Sequence, residues 1–312
     1  MFLRDWISRQ NPWSTLLRWY LTLYARVFSV IPWLWSNQQG AGPIDNFNEG
    51  ESNVGESAFA RETKRPIYDS VRQSKGELIG GGASGIIERL STGEIVKSPW
   101  PGRRAEDCCR DMATEFQIYT RLGPHPRLVH IINWDPKECV LTMEYMDNGN
   151  LKDFILAKND SISIPRRLQW AREAAEGLQI LHAANVIHCD PGPKNFFLDN
   201  NLHLKIADFA GSSVDGYQPS ACANQRFLPP DFDWRRQPLA QDDLFGLGSL
   251  IYFIMTGHYP FHELASDEVE LNYKTHKFPE VKGIKCGDVI TRCWNLQAGS
   301  AQDVLQSLQD IV

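Results

Sequence analysis

The chain has 312 residues, of which 42% are hydrophobic and 22% charged, and a formal net charge of −6 at pH 7. That suits one large domain or two lobes around a sizeable core, and it lacks the basic footprint that nucleic acid demands, so no nucleic-acid partner is expected. The seven cysteines, at 108, 109, 139, 189, 222, 286 and 293, contain no Cys-x-x-Cys pair, and they read as reduced, mostly buried thiols of a cytoplasmic chain instead of a disulfide framework or zinc site.

The first predicted element is a helix within residues 1–36. At about 100° per residue, Trp13 to Ile31 sorts Arg18 and Arg26, with Ser and Thr neighbours, into roughly a third of the circle and gives the rest to Trp, Tyr, Leu, Val, Phe and Ile. Arg26 would sit near mid-bilayer in a spanning helix, and Pro32 would interrupt its end. A wide apolar face rich in Trp and Tyr, flanked by Arg4 and Arg9, fits a helix lying in a membrane interface. A helix docked on the folded domain, a spanning anchor and an Arg-bearing transit peptide are the alternatives. Residues 37–66 follow, poor in aliphatics and rich in Gly, Asn, Ser and Glu; such a segment cannot bury enough surface to offset its ordering entropy, and it reads as a disordered linker.

Residues 67–312 have the texture of a folded domain. Gly80, Gly82 and Gly85 form a Gly-x-Gly-x-x-Gly between two apolar strand-like runs, where backbone N–H groups can approach phosphate oxygens without a Cβ in the way. Alone, this is equally a glycine-rich hairpin turn. The strand Glu94-Ile95-Val96-Lys97 comes after a Ser91-Thr92-Gly93 turn, whereas a dinucleotide-binding motif would open directly into a helix. A nucleotide lid on a β-hairpin is the better match. Glu115 lies in TEFQIYTRLGPHPRLV, and taken alone it reads as a solvated surface charge. LTMEYMDNGNL (141–151) follows, then an amphipathic helix from Leu168 to His182.

The most informative stretch is HCDPGPKN, residues 188–195. It sets a carboxylate, Asp190, and a carboxamide, Asn195, five residues apart on a loop broken by two prolines and a glycine, which suits metal and phosphate chemistry. Asp208-Phe209-Ala210 comes eighteen residues after Asp190, and Asp243-Leu244-Phe245-Gly246 and Thr256-Gly257-His258-Tyr259-Pro260-Phe261 complete the series.

From about residue 76 to 312 this ordered set resembles the eukaryotic protein kinase family, in a divergent, fungal-type kinase-like form. The resemblance implies an α+β, two-lobed fold with a small β-rich lobe and a large helical one, and it implies ATP and Mg²⁺ as cofactors. Lys97 would hold the α and β phosphates, and Glu115 would be its ion-pair partner. Gly80, Gly82 and Gly85 would form the lid. Met143 would be the gatekeeper, with the backbone of Glu144 and Met146 facing the adenine. Asp190 would be the catalytic base, while Asn195 and Asp208 would be the metal ligands. His188 and Phe209 would be core packing groups, and Asp243 would anchor the catalytic-loop backbone.

Departures from the family pattern accompany these matches. Leu228-Pro229-Pro230 stands where the family has Ala-Pro-Glu, and the arginine that normally pairs with this glutamate has no counterpart in Asn295 to Ser300. Cys189 replaces an arginine that pairs with a phosphorylated activation loop, Ile95 replaces a small residue above the adenine, and Ala210 replaces a glycine. Gly192 stands where Ser/Thr kinases carry a lysine. Lys194 is the candidate to supply the missing charge from the other end of the loop, the alternative being that it points to solvent.

The expected function is transfer of the γ-phosphoryl group of Mg-ATP to a protein hydroxyl, Ser or Thr before Tyr, by a cytoplasmic chain brought to a membrane surface through residues 13–31. A nucleotide-binding pseudokinase scaffold is the alternative. A small-molecule phosphotransferase fits the Asp243 helix and the Gly-His-Tyr-Pro-Phe turn less well.

Overall fold

The computed structural model describes residues 73–311. The expected membrane helix at 13–31 and the linker at 37–66 therefore lie outside the described residues. Within them the chain is strand-rich first and helix-rich afterwards. Glu77–Gly81 (β1), Ile86–Arg89 (β2), Ile95–Ser98 (β3), Ile131–Asp135 (β4) and Val140–Met143 (β5) form an antiparallel sheet in the order β1-β2-β3-β5-β4. The β-branched residues at its centre suit a pleated, half-buried surface.

Helix Ala105–Leu122 (α1) joins β3 to β4. Its buried residues Ala105, Cys108, Met112, Glu115, Ile118 and Tyr119 recur every three or four positions, so one stripe faces inward and carries Glu115 with it. Glu106 and Asp107 in the first turn and Arg121 in the last complement the helix dipole.

The large lobe is built from Leu151–Lys158 (α2), Ile164–Ala183 (α3), Ala240–Thr256 (α4), Ser266–Lys274 (α5), Gly287–Trp294 (α6) and Ala301–Gln309 (α7). Asn150 caps α2 by accepting the Asp153 N–H at 2.9 Å. The helix expected from Leu168 begins earlier, at Ile164, because Pro165 suits a first turn that needs no N–H donor there. Helix α4 is buried almost all round, from Leu244 and Phe245 to Phe253 and Ile254, and is the axis of the core. Gly246 lets the loop after His188 pack directly on this axis, since a Cβ there would fall 2.5 Å from Pro191 Cγ.

Four short strands lie between the lobes' main elements. Val186–Ile187 (β6) pairs with Ser213–Val214 (β9), and Phe196–Leu198 (β7) pairs with Leu204–Ile206 (β8). Residues 188–195 connect β6 to β7, and residues 207–212 connect β8 to β9. The two ladders therefore hold the ends of both loops side by side. The sequence reading of a two-lobed α+β fold is what the chain adopts. Of the cysteines, Cys108, Cys286 and Cys293 are buried, Cys109, Cys139 and Cys189 half-buried, and Cys222 exposed.

Candidate active site

The loop at 188–195 is held from below by one buried carboxylate. Asp243, in the first turn of α4, accepts the His188 N–H at 2.8 Å and the Cys189 N–H at 2.9 Å, and His182 Nε2 lies 2.9 Å from its Oδ2. These bonds hold Cys189 at φ 68°, a conformation uncommon outside glycine, and so set the direction in which Asp190 leaves the loop. Asn195 donates through Nδ2 to the Asp190 carbonyl at 2.8 Å, which commits its amide nitrogen and leaves Oδ1 as the atom that could hold a metal. The Ala207 N–H donates to the Asn195 carbonyl at 2.9 Å and joins this loop to the next.

Lys97 is the electrostatic centre. Its Nζ lies 2.7 Å from Glu115 Oε2 and 2.6 Å from Asp208 Oδ1, while the Phe209 N–H donates to the other Glu115 oxygen at 3.2 Å. Burial alone would lower the Lys97 pKa, but Asp208 and then Glu115 outweigh it and hold the ammonium charged. Asp208 is kept below the usual carboxylate range chiefly by Lys97. Glu115 is pushed up by burial, against the pull of Lys97. The Asp208 side chain stays 47% exposed even while paired. Behind it, Phe209 packs between Tyr119 of α1, at 4.8 Å between ring centroids, and His188, at 5.6 Å. His188 and Phe209 are thus packing groups that couple the helix carrying Glu115 to the loop carrying Asp190.

Burial raises the Asp190 pKa above its ordinary value, and Asp208 adds to the rise while His188, Asn195 and Lys194 oppose it. Lys194 itself is exposed. A Cβ at Gly192 would lie 3.4 Å from Asp190 Oδ1, so a side chain fits at that position.

The glycine segment forms a lid continuous with β1 and β2. Gly82 donates to the Gly85 carbonyl at 2.9 Å, closing the turn. Gly85 is needed for packing, because a Cβ there would lie 2.4 Å from the Ser98 carbonyl oxygen, whereas Gly80 and Gly82 face open space. The tip is tied down by two donors: Trp100 Nε1 to the Gly82 carbonyl and Arg104 Nη2 to the Ala83 carbonyl, both at 2.8 Å. Neither residue stood out in the sequence. The only available signal was their place between Lys97 and the helix of Glu115.

At the hinge, buried Met143 pairs in register with Ile95. The Glu144 N–H is taken by the His130 carbonyl at 3.0 Å, so of its two backbone groups only the carbonyl could face an adenine. Its carboxylate accepts the His130 N–H at 2.7 Å and Lys205 Nζ at 2.5 Å, locking the hinge to β8. Met146 is buried and its carbonyl accepts the Gly149 N–H at 2.9 Å.

Where the family's glutamate–arginine pair is missing, a different residue closes the segment that follows Asp208. Arg226 donates to the carbonyls of Pro260, Phe261 and Leu264 at 3.0, 3.1 and 2.6 Å. Its own carbonyl accepts Ser249 Oγ at 2.7 Å, and Trp294 Nε1 donates to that Oγ at 3.0 Å. Sequence reasoning missed Arg226 because its partners are backbone carbonyls more than thirty residues further along the chain.

The family model for the protein kinase domain matches residues 74–310. The chain belongs to the protein kinase domain family. Its kinase domain is 33% identical over 199 residues to a protein of Arabidopsis thaliana named "Probable serine/threonine-protein kinase PBL28", covering 58% of this chain and 53% of that one. It is 28% identical over 205 residues to the calcium and calcium/calmodulin-dependent serine/threonine-protein kinase of Lilium longiflorum, covering 62% and 37%. A receptor-like protein kinase of Arabidopsis thaliana is 27% identical over 279 residues, covering 81% and 32%. The chain spans about half or less of the length of these relatives.

Proposed function

We propose that this chain transfers the γ-phosphoryl group of Mg-ATP to a protein hydroxyl, on Ser or Thr in preference to Tyr. The observation that carries this reading is the double engagement of Lys97 by Glu115 and Asp208, at 2.7 and 2.6 Å, beside a loop that fixes Asp190 and Asn195. The serine/threonine kinase names of the relatives support the choice of hydroxyl.

The donor set fits the metal. The Asp208 carboxylate and the Asn195 carboxamide oxygen are hard donors of the kind Mg²⁺ takes, together with substrate phosphates. When bound, the metal neutralises charge that develops on the phosphates. The remaining work belongs to the chain. Lys97, kept charged by its two carboxylates, holds the α and β phosphates, and Glu115 holds Lys97 in place. Gly80, Gly82 and Gly85 let backbone N–H groups cover the phosphates. The carbonyl of Glu144 and the N–H of Met146 orient the adenine. Asp190 accepts the proton of the attacking hydroxyl, and Lys194 supplies positive charge to the transferring group. Radiolabel transfer to a mixed Ser, Thr and Tyr peptide pool, followed by phosphoamino-acid analysis, tests the assignment: phosphoserine and phosphothreonine are expected, and phosphotyrosine alone would overturn it.

One observation favours the scaffold reading instead, the absence of a lysine at Gly192. A chain that binds Mg-ATP and transfers nothing would make that reading the better one. Residues 13–31 would place the domain at a membrane surface, with the linker 37–66 giving it reach. Among the described residues no helix is long and apolar enough to cross a membrane. Co-sedimentation with liposomes should require the first 66 residues, and equal sedimentation without them would remove the membrane role.

A further inference from the structure

Arg121, in the last turn of α1, closes on the large lobe with its whole guanidinium fork. Nη1 and Nη2 donate to Asp215 Oδ1 and Oδ2, both at 2.8 Å, and Nη1 also donates to the Ala184 carbonyl at 3.1 Å. Ala184 and Asp215 flank one end of the β6–β9 ladder, where the Asp215 N–H donates to the Asn185 carbonyl at 3.0 Å. At its other end the ladder runs into residues 188–195 and receives residues 207–212. One side chain of the helix that carries Glu115 therefore grips the ladder that holds both loops of the site. The turn suits this contact: Asp215 sits at φ 50°, before Gly216 at φ 81°, a left-handed conformation that Asn and Asp tolerate better than other side chains. The backbone alone would take Asn as readily, and the carboxylate adds a second oxygen for the second nitrogen of the fork.

We propose that Arg121 is a positioning residue for the Lys97–Glu115 pair, its fork on Asp215 and Ala184 setting the angle of α1 against the large lobe. Both side chains of the ion pair are partly exposed, and such a pair contributes little to global stability. Two parallel bonds to one carboxylate give it direction instead. Direction matters here because Glu115 is fully buried, and burial works against its charged form, so the inward pose depends on what else holds the helix. Arg121 lies about 9 Å further along the axis than Glu115, at a rise of about 1.5 Å per residue. A tie at that distance resists the tilt that would carry Glu115 away from Lys97 better than a contact beside Glu115 itself. The consequence for nucleotide rests on the kinase reading, through the phosphate-holding role given to Lys97.

The test compares Arg121→Lys, Asp215→Asn and the double variant in the full chain. Lysine keeps the positive charge at the helix end but cannot fork, and asparagine keeps the left-handed turn while removing the carboxylate. Hydrogen exchange at the Phe209 amide reads the position of Glu115, because that N–H donates to Glu115 Oε1 at 3.2 Å. Exchange there should quicken by roughly 2- to 5-fold in each single variant, the scale of one partly exposed ion pair, and the double variant should add little, since both changes remove the same contact. Unchanged exchange in Asp215→Asn overturns the proposal. So does wild-type exchange in Arg121→Lys, which would leave Arg121 as a cation facing the helix dipole. Exchange needs no nucleotide, so it decides the matter even in a chain that binds no Mg-ATP, a result that would count against the kinase reading alone. Where Mg-ATP binds, its dissociation constant should rise in the variants by the same roughly 2- to 5-fold; an unchanged constant would overturn the inference that the clamp acts through Lys97.

Discussion

Asp190 concentrates the chemistry at the scale of single residues. As the proposed base its carboxyl must be ionised, and burial raises its pKa, so activity should be lost as pH falls through a value above the ordinary Asp range. Lys194 opposes that rise, which gives its proposed role a signature that a merely structural lysine would lack. Lys194→Met should lower kcat by about 10²-fold with little change in ATP affinity, and should also move the acid limb of the kcat profile to higher pH. Gly192→Lys in that background should recover part of the rate, because a Cβ there meets Asp190 Oδ1 at 3.4 Å and nothing closer. Unchanged kcat and an unmoved acid limb in Lys194→Met would show the lysine to be a solvated charge. That Lys97, Glu115 and Asp208 meet, and that Asn195 closes on Asp190, was legible in the sequence through the ordered family resemblance. Trp100, Arg104 and Arg226 were not, because they act by donating to backbone carbonyls, and any nearby donor of sufficient reach could do the same.

Elements meet at two places that the sequence pattern did not mark. The lid is tied to the approach of α1 by Trp100 and Arg104, so its position is coupled to the helix that carries Glu115. Trp100→Phe removes one neutral hydrogen bond while keeping most of the ring, and should raise KM for ATP by roughly 2- to 10-fold with a smaller change in kcat. An unaltered KM would show that the tip bonds do not act on nucleotide. The second place is the junction of the post-Asp208 segment with the 260–264 turn. Arg226→Met leaves three carbonyls without their charged donor and should destabilise the domain by about 2–4 kcal/mol in chemical denaturation. A loss near zero would mean that water replaces the guanidinium there. The sequence showed that the Ala-Pro-Glu glutamate and its arginine were both absent, but it did not show what took over, since the replacement comes from the other side of the segment.

Across the described domain, the arrangement is one of anchoring from the core outward. Helix α4 holds Asp243, Asp243 holds the backbone of His188 and Cys189, and the rings of His188, Phe209 and Tyr119 carry that order up to α1 and Glu115. The strand and helix order of the two lobes was readable because apolar runs and Gly and Pro punctuation mark them. Their exact ends were not, and β3 runs Ile95–Ser98 where Glu94 to Lys97 was expected, because terminal pairing depends on the partner strand. All of these contacts serve the claim that HCDPGPKN is a working catalytic loop despite Gly192. The most direct measurement is transfer of labelled γ-phosphate from Mg-ATP to a generic protein substrate by the wild type beside Asp190→Asn. The account predicts measurable transfer by the wild type and a loss of about 10²- to 10⁴-fold in the variant; a wild type that binds Mg-ATP yet transfers no more label than Asp190→Asn would contradict it.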